Sequence, residues 1–439
     1  MSSAPSAQRR VVITGMGLIC PLGSTPDELW TALQSRANGV QAIEQFDASA
    51  LPAAYAGEAK QFTGHVSEFG ELQLNQKKAI RKGLKTICRE AQMGIAAAQL
   101  AMQNGGVVPG NFDPEQTGAV FGSDFMVSLP GDFLDSCKTC LLGDDDFDYS
   151  KWAQQGLPAL NPLWLLKYLP NMPAAHLSMY NDLRGPNNSI TVREASSNLA
   201  MCEAARIIAR GHAERMIAGA TGSWIHPLKT VQAVLQFELA TNETPAEEAS
   251  RPFDRDRTGM VLGEGAAALI LEEEETAKQR GVPILGRFLG AGASQVSNRN
   301  LVADRRATVK NAIVSALRDA ELSPANIGHI HAHGDGTRHG DAEEAAAIAD
   351  VFRDKQIPVT SAKGNFGNLG AGSGLVETIA STMALREGTV PPVRNFESTD
   401  EACPVNVVNA NDVSAGGNFL NINVTLQGQA SCVIVGKAD

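Results

Sequence analysis

The sequence predicts an α/β protein with covered sheets, because short β-branched and apolar runs alternate with helical patterns along both halves of the chain. The strand signals are Val11 to Thr14, Ile190 to Val192, Arg215 to Ala218, Ala266 to Leu271, His329 to Ala332 and Ile357 to Thr360. Size is the second observation. A chain of 439 residues with 43% hydrophobic content can bury a large core, as two or three domain-sized units or one large double unit.

Taken in order, Val11 to Thr14 is closed by Gly15-Met16-Gly17, the pattern of a buried strand entering a tight turn. Ser24-Thr25-Pro26 then supplies cap and first-turn residues, so a helix is predicted from about Thr25, with Leu29, Trp30 and Leu33 at helical spacing. The spacing predicts one long helix over Gln76 to Gln103. Asp124 to Pro170 reads as an irregular insertion or lid, acidic around Asp144 to Asp146 and rich in Pro, Trp and Leu. A charged helix from Glu272 to Arg280 ends at Gly281, and a strand begins near Pro283. Further helices are predicted over Ala307 to Ala320, Ala342 to Phe352 and Leu375 to Arg386. There is no close sequence repeat, but two similar βα halves fit this order, residues 1–280 and 281–439.

Net charge is -11, which argues against a nucleic-acid backbone as partner for the whole surface. No apolar run approaches the roughly 20 residues of a membrane helix, and Met1 to Arg10 is a polar tail without a signal-peptide core. A cytoplasmic protein without a membrane partner is expected. Seven scattered cysteines argue for reduced thiols rather than a disulfide framework. Cys137 and Cys140 form a CxxC, but without a second pair they read as two small residues in a loop, and no metal site is expected.

Several motifs then occur in a telling order. Arg9-Arg10-Val11-Val12-Ile13-Thr14-Gly15-Met16-Gly17 opens the chain, and Phe46-Asp47 follows. Leu183-Arg184-Gly185-Pro186 precedes Arg251-Pro252-Phe253-Asp254 and Gly263-Glu264-Gly265. His331-Ala332-His333-Gly334 leads to Gly340-Asp341, then Lys363 and the glycine-rich Gly367 through Glu377. This series resembles the elongating β-ketoacyl-acyl-carrier-protein synthases of the thiolase superfamily, over nearly the whole chain outside 124–170. The resemblance implies a thiolase-like, five-layered αβαβα fold of two ketosynthase halves and a homodimer. It implies an acyl carrier protein as partner and no cofactor, the substrate being carried on phosphopantetheine or coenzyme A. Members of that family hold the acyl chain on a cysteine at the N-terminus of a buried helix, where the thiolate is favoured. Two histidines, or a histidine and an asparagine, stabilise the enolate left when a malonyl thioester loses carbon dioxide.

Counting back from Ala204-Ala205-Arg206-Ile207-Ile208, which matches the family's helix, the cysteine position falls on Glu194. Cys202 lies about two turns into that helix and reads as a core residue, and Ser196 and Ser197 read as helix caps. Glu194 reads either as a carboxylate resting on a helix N-terminus or, where the family places its acyl tunnel, as a functional group, since an idle buried carboxylate is costly. The resemblance assigns His333 and Asn368 as the oxyanion donors and Lys363 with Glu377 as a supporting buried pair. Asp335 stands where the family has a threonine against the phosphopantetheine arm, while Thr337 matches the second. The family's glycine-rich gating loop is replaced by Leu426-Gln427-Gly428-Gln429. Lys77, Lys78, Arg81, Lys82 and Lys85 gather on one side of a helix, either as a solvated face or as a dock for the acidic carrier protein.

Three functions fit these residues: a decarboxylase of malonyl thioesters that does not condense, a non-catalytic partner like the chain-length factors that pair with an active synthase, and an acid/base carbon–carbon bond enzyme using Glu194. The partner reading allows a heterodimer with a cysteine-bearing synthase. Retention of His333-Gly334 and Lys363 separates this chain from typical chain-length factors.

Overall fold

A computed structural model describes residues 9–143, 146–353 and 356–438. The tail residues 1–8 and the acidic residues Asp144 and Asp145 lie outside the described residues. The strands, in chain order, are β1 (Val11–Ile19), β2 (Val40–Ala42), β3 (Tyr55–Gly57), β4 (Thr117–Ser123), β5 (Asn187–Thr191), β6 (Arg215–Ser223) and β7 (Glu264–Glu273). The second half adds β8 (Gly286–Gln295), β9 (His329–His331), β10 (Pro358–Thr360), β11 (Asn406–Val407), β12 (Asn418–Val424) and β13 (Gln429–Gly436). Eleven of them are joined in the order β11-β10-β9-β12-β13-β8-β1-β7-β6-β4-β5, and β2 pairs with β3 separately. The two halves of the long sheet meet only where Val11, Val12 and Ile13 of β1 pair with Phe288, Arg287 and Gly286 of β8.

That short joint lets the halves face each other across a layer of helix. Ser196–Ala209 and Ser373–Glu387 pack on each other and on strands of both halves. Every residue from Ser373 to Leu385 is buried, as expected of a helix whose residues there are apolar or small apart from Glu377. Arg89–Asn104 and Met172–Asn181 cover the outer face of the first half, and Arg305–Asp319 with Arg338–Phe352 cover that of the second. The result is the five-layered αβαβα architecture, with its core on both sides of the central helices.

Several elements differ from their predicted bounds for physical reasons. The chain does not turn at Gly15-Met16-Gly17: β1 continues to Ile19, with an irregularity in its pairing to β7 between Ile13 and Gly15. Those glycines serve close packing, because a Cβ on Gly15 would sit 2.5 Å from the carbonyl oxygen of Ala101 in the covering helix. The long helix over 76–103 is two helices, Leu74–Gly83 and Arg89–Asn104, broken where Ile87 takes an extended conformation. Glu272 and Glu273 belong to β7, and the charged helix is only Glu274–Arg280, closed by Gly281 at φ 68°. The helix at Thr25 forms as predicted, with the Thr25 side chain accepting from the Glu28 amide and Pro26 in the first turn. The described residues of segment 124–170 form short helical turns, some of them consecutive as from Tyr149 to Ala159, and an isolated bridge between Leu141 and Phe147.

All seven cysteines are free. No group of three or more His, Cys, Asp or Glu arranged to hold a metal ion is present among the described residues. No described helix is long and apolar enough to cross a membrane.

Candidate active site

The buried helix Ser196–Ala209 is preceded by a single 3-10 turn, Arg193–Ala195, that delivers Glu194 into the space between the two halves. Arg193 adopts φ 48°, a left-handed conformation rarely taken by a long side chain. Its guanidinium holds that bend by lying 5.5 Å from the ring centre of Phe125 and 5.8 Å from that of Trp224, with Asp124 at 3.9 Å. Glu194 is 3% exposed. Burial pushes its carboxyl above the ordinary carboxylate range, against the opposing pull of His333, and Asp124 adds to the rise. Desolvation thus outweighs the stabilisation that a helix terminus offers a carboxylate.

Ser196 and Ser197 are not caps, contrary to the sequence expectation. Ser196 Oγ accepts from the Val192 amide at 2.7 Å and donates to the Ser123 carbonyl at 2.9 Å, and Ser197 Oγ donates to the Ala371 carbonyl. Both are fully buried and tie the turn to neighbouring backbone. Cys202 packs in the core as predicted, its thiol pushed up to about 11 by burial.

Glu194, His333, Asn368, Asp335 and Thr337 line one cavity of about 170 Å³. No cysteine lines it. Asn368 Nδ2 lies 3.4 Å from Glu194 Oε1 and 3.0 Å from Met260 Sδ, while its Oδ1 accepts from the Gly370 amide at 2.9 Å, which fixes the amide's orientation. His333 Nε2 stands 3.6 Å from Asp335 Oδ2, attracted but longer than a hydrogen bond. Although burial opposes it, that imidazole with Arg305 and Thr337 holds the Asp335 carboxyl well below its usual range.

The loop carrying His333 is held from three sides. Glu344 accepts from the amides of His333 and Gly334 at 2.7 and 2.9 Å, and Asp341 Oδ1 accepts from those of Asp335 and Gly336 at 3.0 and 3.2 Å. Lys363 Nζ donates to the His333 carbonyl at 2.7 Å and to Glu377, whose second oxygen accepts from Asn421 and Asn423 at 3.2 and 3.0 Å. Burial raises the Glu377 carboxyl, but Lys363 outweighs it and the group stays below its ordinary value. The predicted pair of Lys363 and Glu377 is thus a fully buried brace beneath the histidine loop.

Most of the chain is matched by two family models, the N-terminal domain of β-ketoacyl synthase over residues 8–277 and its C-terminal domain over 285–397. The chain belongs to the β-ketoacyl synthase family. This synthase-family member is 32% identical over 404 residues to 3-oxoacyl-acyl-carrier-protein synthase 2 of Coxiella burnetii, covering 91% of this chain and 92% of that one. It is 33% identical over 402 residues to the chloroplastic 3-oxoacyl-acyl-carrier-protein synthase II of Arabidopsis thaliana, covering 90% and 69%. Among solved structures it resembles the ishigamide ketosynthase/chain length factor, with TM-score 0.82, 25% identity and coverage of 99% and 100%. A β-ketoacyl synthase from Burkholderia phymatum shares the fold, with TM-score 0.84 at 24% identity over 98% and 100%. The fold is accordingly thiolase-like, and the protein is β-ketoacyl-acyl-carrier-protein-synthase-like, of the acyltransferase kind that serves fatty acid or polyketide biosynthesis.

Other sequence-predicted residues of the synthase fold are placed less uniformly. Leu426 lines the cavity, whereas Gln427 is exposed and Gly428 is buried in the turn between β12 and β13, with φ 74° and its amide donating to the Thr425 carbonyl. Lys77, Lys78, Arg81, Lys82 and Lys85 are all exposed on or just after helix Leu74–Gly83, and none forms an ion pair among the described residues. Sequence reasoning missed Asp124, Arg193 and Glu344. Glu344 lies one helical turn beyond the Gly340-Asp341 motif, on the same face as Asp341, and that spacing was the available signal.

Proposed function

We propose that this protein removes carbon dioxide from malonyl groups carried on an acyl carrier protein without joining the product to an acyl chain. The observation that carries this reading is one cavity lined by Glu194, His333 and Asn368 and by no cysteine. Elongation by the family's route holds the acyl chain as a thioester, and the carboxyl of Glu194, read from sequence as standing at the cysteine position, forms none. Decarboxylation asks less: donors that stabilise the enolate oxygen. His333 and Asn368 supply the imidazole and amide for that role. A neutral Glu194, favoured by burial, fills the space of the acyl thioester without repelling the malonyl carboxylate. The arm enters past Thr337 and Asp335, and the exposed cations from Lys77 to Lys85 receive the acidic carrier protein. No cofactor takes part, and the protein works as a homodimer.

A second reading, a non-catalytic partner of a cysteine-bearing synthase, is favoured by the likeness to a ketosynthase/chain length factor and by Asp335 drawing on His333. Mass spectrometry of malonyl-carrier protein incubated with the purified protein separates the two. Slow formation of acetyl-carrier protein is expected. Absence of turnover together with tight binding to a cysteine-bearing synthase establishes the partner reading.

A further inference from the structure

Arg305 is the first residue of helix Arg305–Asp319, whose cap Asp304 accepts from the Ala307 amide at 2.9 Å. Its side chain turns inward to line the cavity of Glu194, His333 and Asn368, and the residue is 8% exposed. An arginine carries five N–H donors in a planar fork. Here Nε is buried with no hydrogen-bond partner. The guanidinium's one ion-pair neighbour among the described residues, Glu343 Oε2, stands 4.0 Å from it, beyond hydrogen-bond reach. Nor does the neighbouring acid satisfy it: Asp335 Oδ1 accepts from the Thr337 amide at 3.0 Å and the Thr337 hydroxyl at 2.6 Å, and Oδ2 faces His333 Nε2 at 3.6 Å. Gly340 makes the room, because a Cβ there would lie 2.8 and 3.1 Å from the terminal nitrogens of Arg305 and closer still to Thr337 Oγ1. The fold thus seats a cation in the cavity of His333 and Asn368 and gives it no hydrogen-bond acceptor among the described residues, although a buried charge left this way is costly.

We propose that Arg305 binds the carboxylate of the malonyl group, taking its two oxygens in the fork of the guanidinium while His333 and Asn368 take the thioester oxygen. This role rests on a malonyl thioester being the substrate, as proposed above. A planar guanidinium matches both oxygens of a carboxylate, which a single ammonium does not. The other anion that a carrier-bound substrate brings is a phosphate, and the whole pantetheine chain separates it from the thioester. Arg305 shares one cavity of about 170 Å³ with His333 and Asn368, so the anion within its reach is the one next to the thioester. Glu343 is 41% exposed and screened by solvent, which leaves the charge of Arg305 to the substrate.

The contact acts on binding and orientation rather than on the barrier. When the carbon–carbon bond breaks, its electron pair passes into the enolate held by His333 and Asn368, and the carboxylate leaves as neutral carbon dioxide. The enolate carbon then takes a proton from water and gives the acetyl thioester. The charge that Arg305 holds in the ground state is lost on the way to the transition state, so the ion pair tightens substrate binding without lowering the barrier from the bound state. Neutral carbon dioxide has no charge to keep it at Arg305, and it departs.

Calorimetric titration of the full-length protein with the amide analogue of malonyl-pantetheine, in which N–H replaces sulfur and carbon dioxide is not lost, tests the contact without turnover. The analogue is expected to bind about tenfold more tightly than its methyl ester, since a charge-assisted pair replaces a neutral contact. Arg305→Met should erase that difference, and Arg305→Lys should keep part of it. The acetyl analogue should bind wild type and Arg305→Met alike, with or without a phosphate on the arm. In steady-state assays with malonyl-carrier protein, Arg305→Met should raise KM about tenfold while kcat does not fall. A preference for the acid in wild type with no acetyl-carrier protein formed leaves the carboxylate site standing and removes only the decarboxylation reading. Equal affinity for acid and ester in wild type, a comparison that needs no variant to fold, overturns the proposal. So does a preference that survives Arg305→Met, a fall in kcat with KM unchanged, or a loss of affinity in that variant that follows the phosphate rather than the carboxylate.

Discussion

The side-chain amide of Asn368 points one donor at Glu194 Oε1, 3.4 Å away, and its carbonyl accepts from the Gly370 amide. The two halves of the molecule thus meet at this contact, because Glu194 precedes the first central helix and Asn368 precedes the second. The nearest partner of a carboxylate here is a neutral amide, and the pull of His333 and Arg193 does not outweigh burial. Its desolvation is therefore poorly offset.

The pH dependence of stability follows from that imbalance. Glu194 has a folded value raised above its ordinary 4.5, so its contribution to stability is fully present below that value and is lost as pH rises through the folded value. Glu194→Gln removes the ionisation but keeps the shape. Thermal melting should show the variant more stable than the wild type at about pH 8 to 9, with the difference shrinking toward about pH 4. A difference that grows on acidification would contradict this account.

The sequence made the site legible wherever a residue type has a fixed chemical job at a fixed spacing. Glu194, His333, Asn368, Asp335 and Thr337 were all chosen from motif positions and all line one cavity. Arg193 and Asp124 were not, because their partners lie far along the chain and meet only when β4, β6 and the turn before the central helix come together. The same limit explains β1. Gly15 and Gly17 carry the composition of a turn, and only the helix packed against them shows that they serve a close crossing. Thr117–Ser123, Asn418–Val424 and Gln429–Gly436 were missed as strands because glycine, serine and asparagine interrupt their apolar pattern; their Asn421 and Asn423 bind Glu377 inside the core.

The brace under the histidine loop gives a large stability effect. Lys363→Met would leave Glu377 buried without its cation and free the His333 carbonyl, and breaking one partner of a buried pair costs about 3 to 5 kcal/mol. Denaturant unfolding should show a loss of that size. A change below about 1 kcal/mol would mean that Asn421 and Asn423 alone satisfy Glu377.

A packing prediction isolates the glycines of β1. Gly15→Ala places a methyl group 2.5 Å from the Ala101 carbonyl oxygen in a helix with no room to retreat. Overpacking of this kind costs about 1 to 3 kcal/mol. If Gly15 were instead a turn glycine in an open loop, the same change would leave the unfolding midpoint almost unaltered.

The exposed cations of helix Leu74–Gly83 predict an ionic-strength signature. Reversing Lys77, Lys78 and Arg81 to glutamate should slow association with an acidic carrier protein by about tenfold or more at low salt, and added salt should narrow the gap. Surface plasmon resonance at several salt concentrations measures it. An unchanged association rate would assign these residues to an ordinary solvated face.

The roles of the three cavity residues separate in one set of variants. Decarboxylation of a malonyl thioester develops negative charge on the thioester oxygen, and loss of one donor to such an oxygen costs a factor of about 10² to 10³ in rate. His333→Ala and Asn368→Ala should each lose acetyl-carrier-protein formation on that scale. Glu194→Gln should keep or raise the rate, since an amide has no charge to repel the malonyl carboxylate and still fills the space of the acyl group. Glu194→Cys should then admit acylation at position 194, visible as a mass increase on the intact protein, to the extent that the Leu426 to Gln429 turn lets the acyl chain enter; wild-type protein should acquire no adduct there. The decisive comparison is Glu194→Gln with His333→Ala in the same assay. If the glutamine variant is the one that abolishes activity on a thioester substrate, Glu194 is the proton-transfer group and the reaction is acid/base chemistry on a carbon–carbon bond. If the histidine variant alone is silent, the glutamate is a neutral filler and the family's enolate-stabilising half has outlived its acyl-holding half.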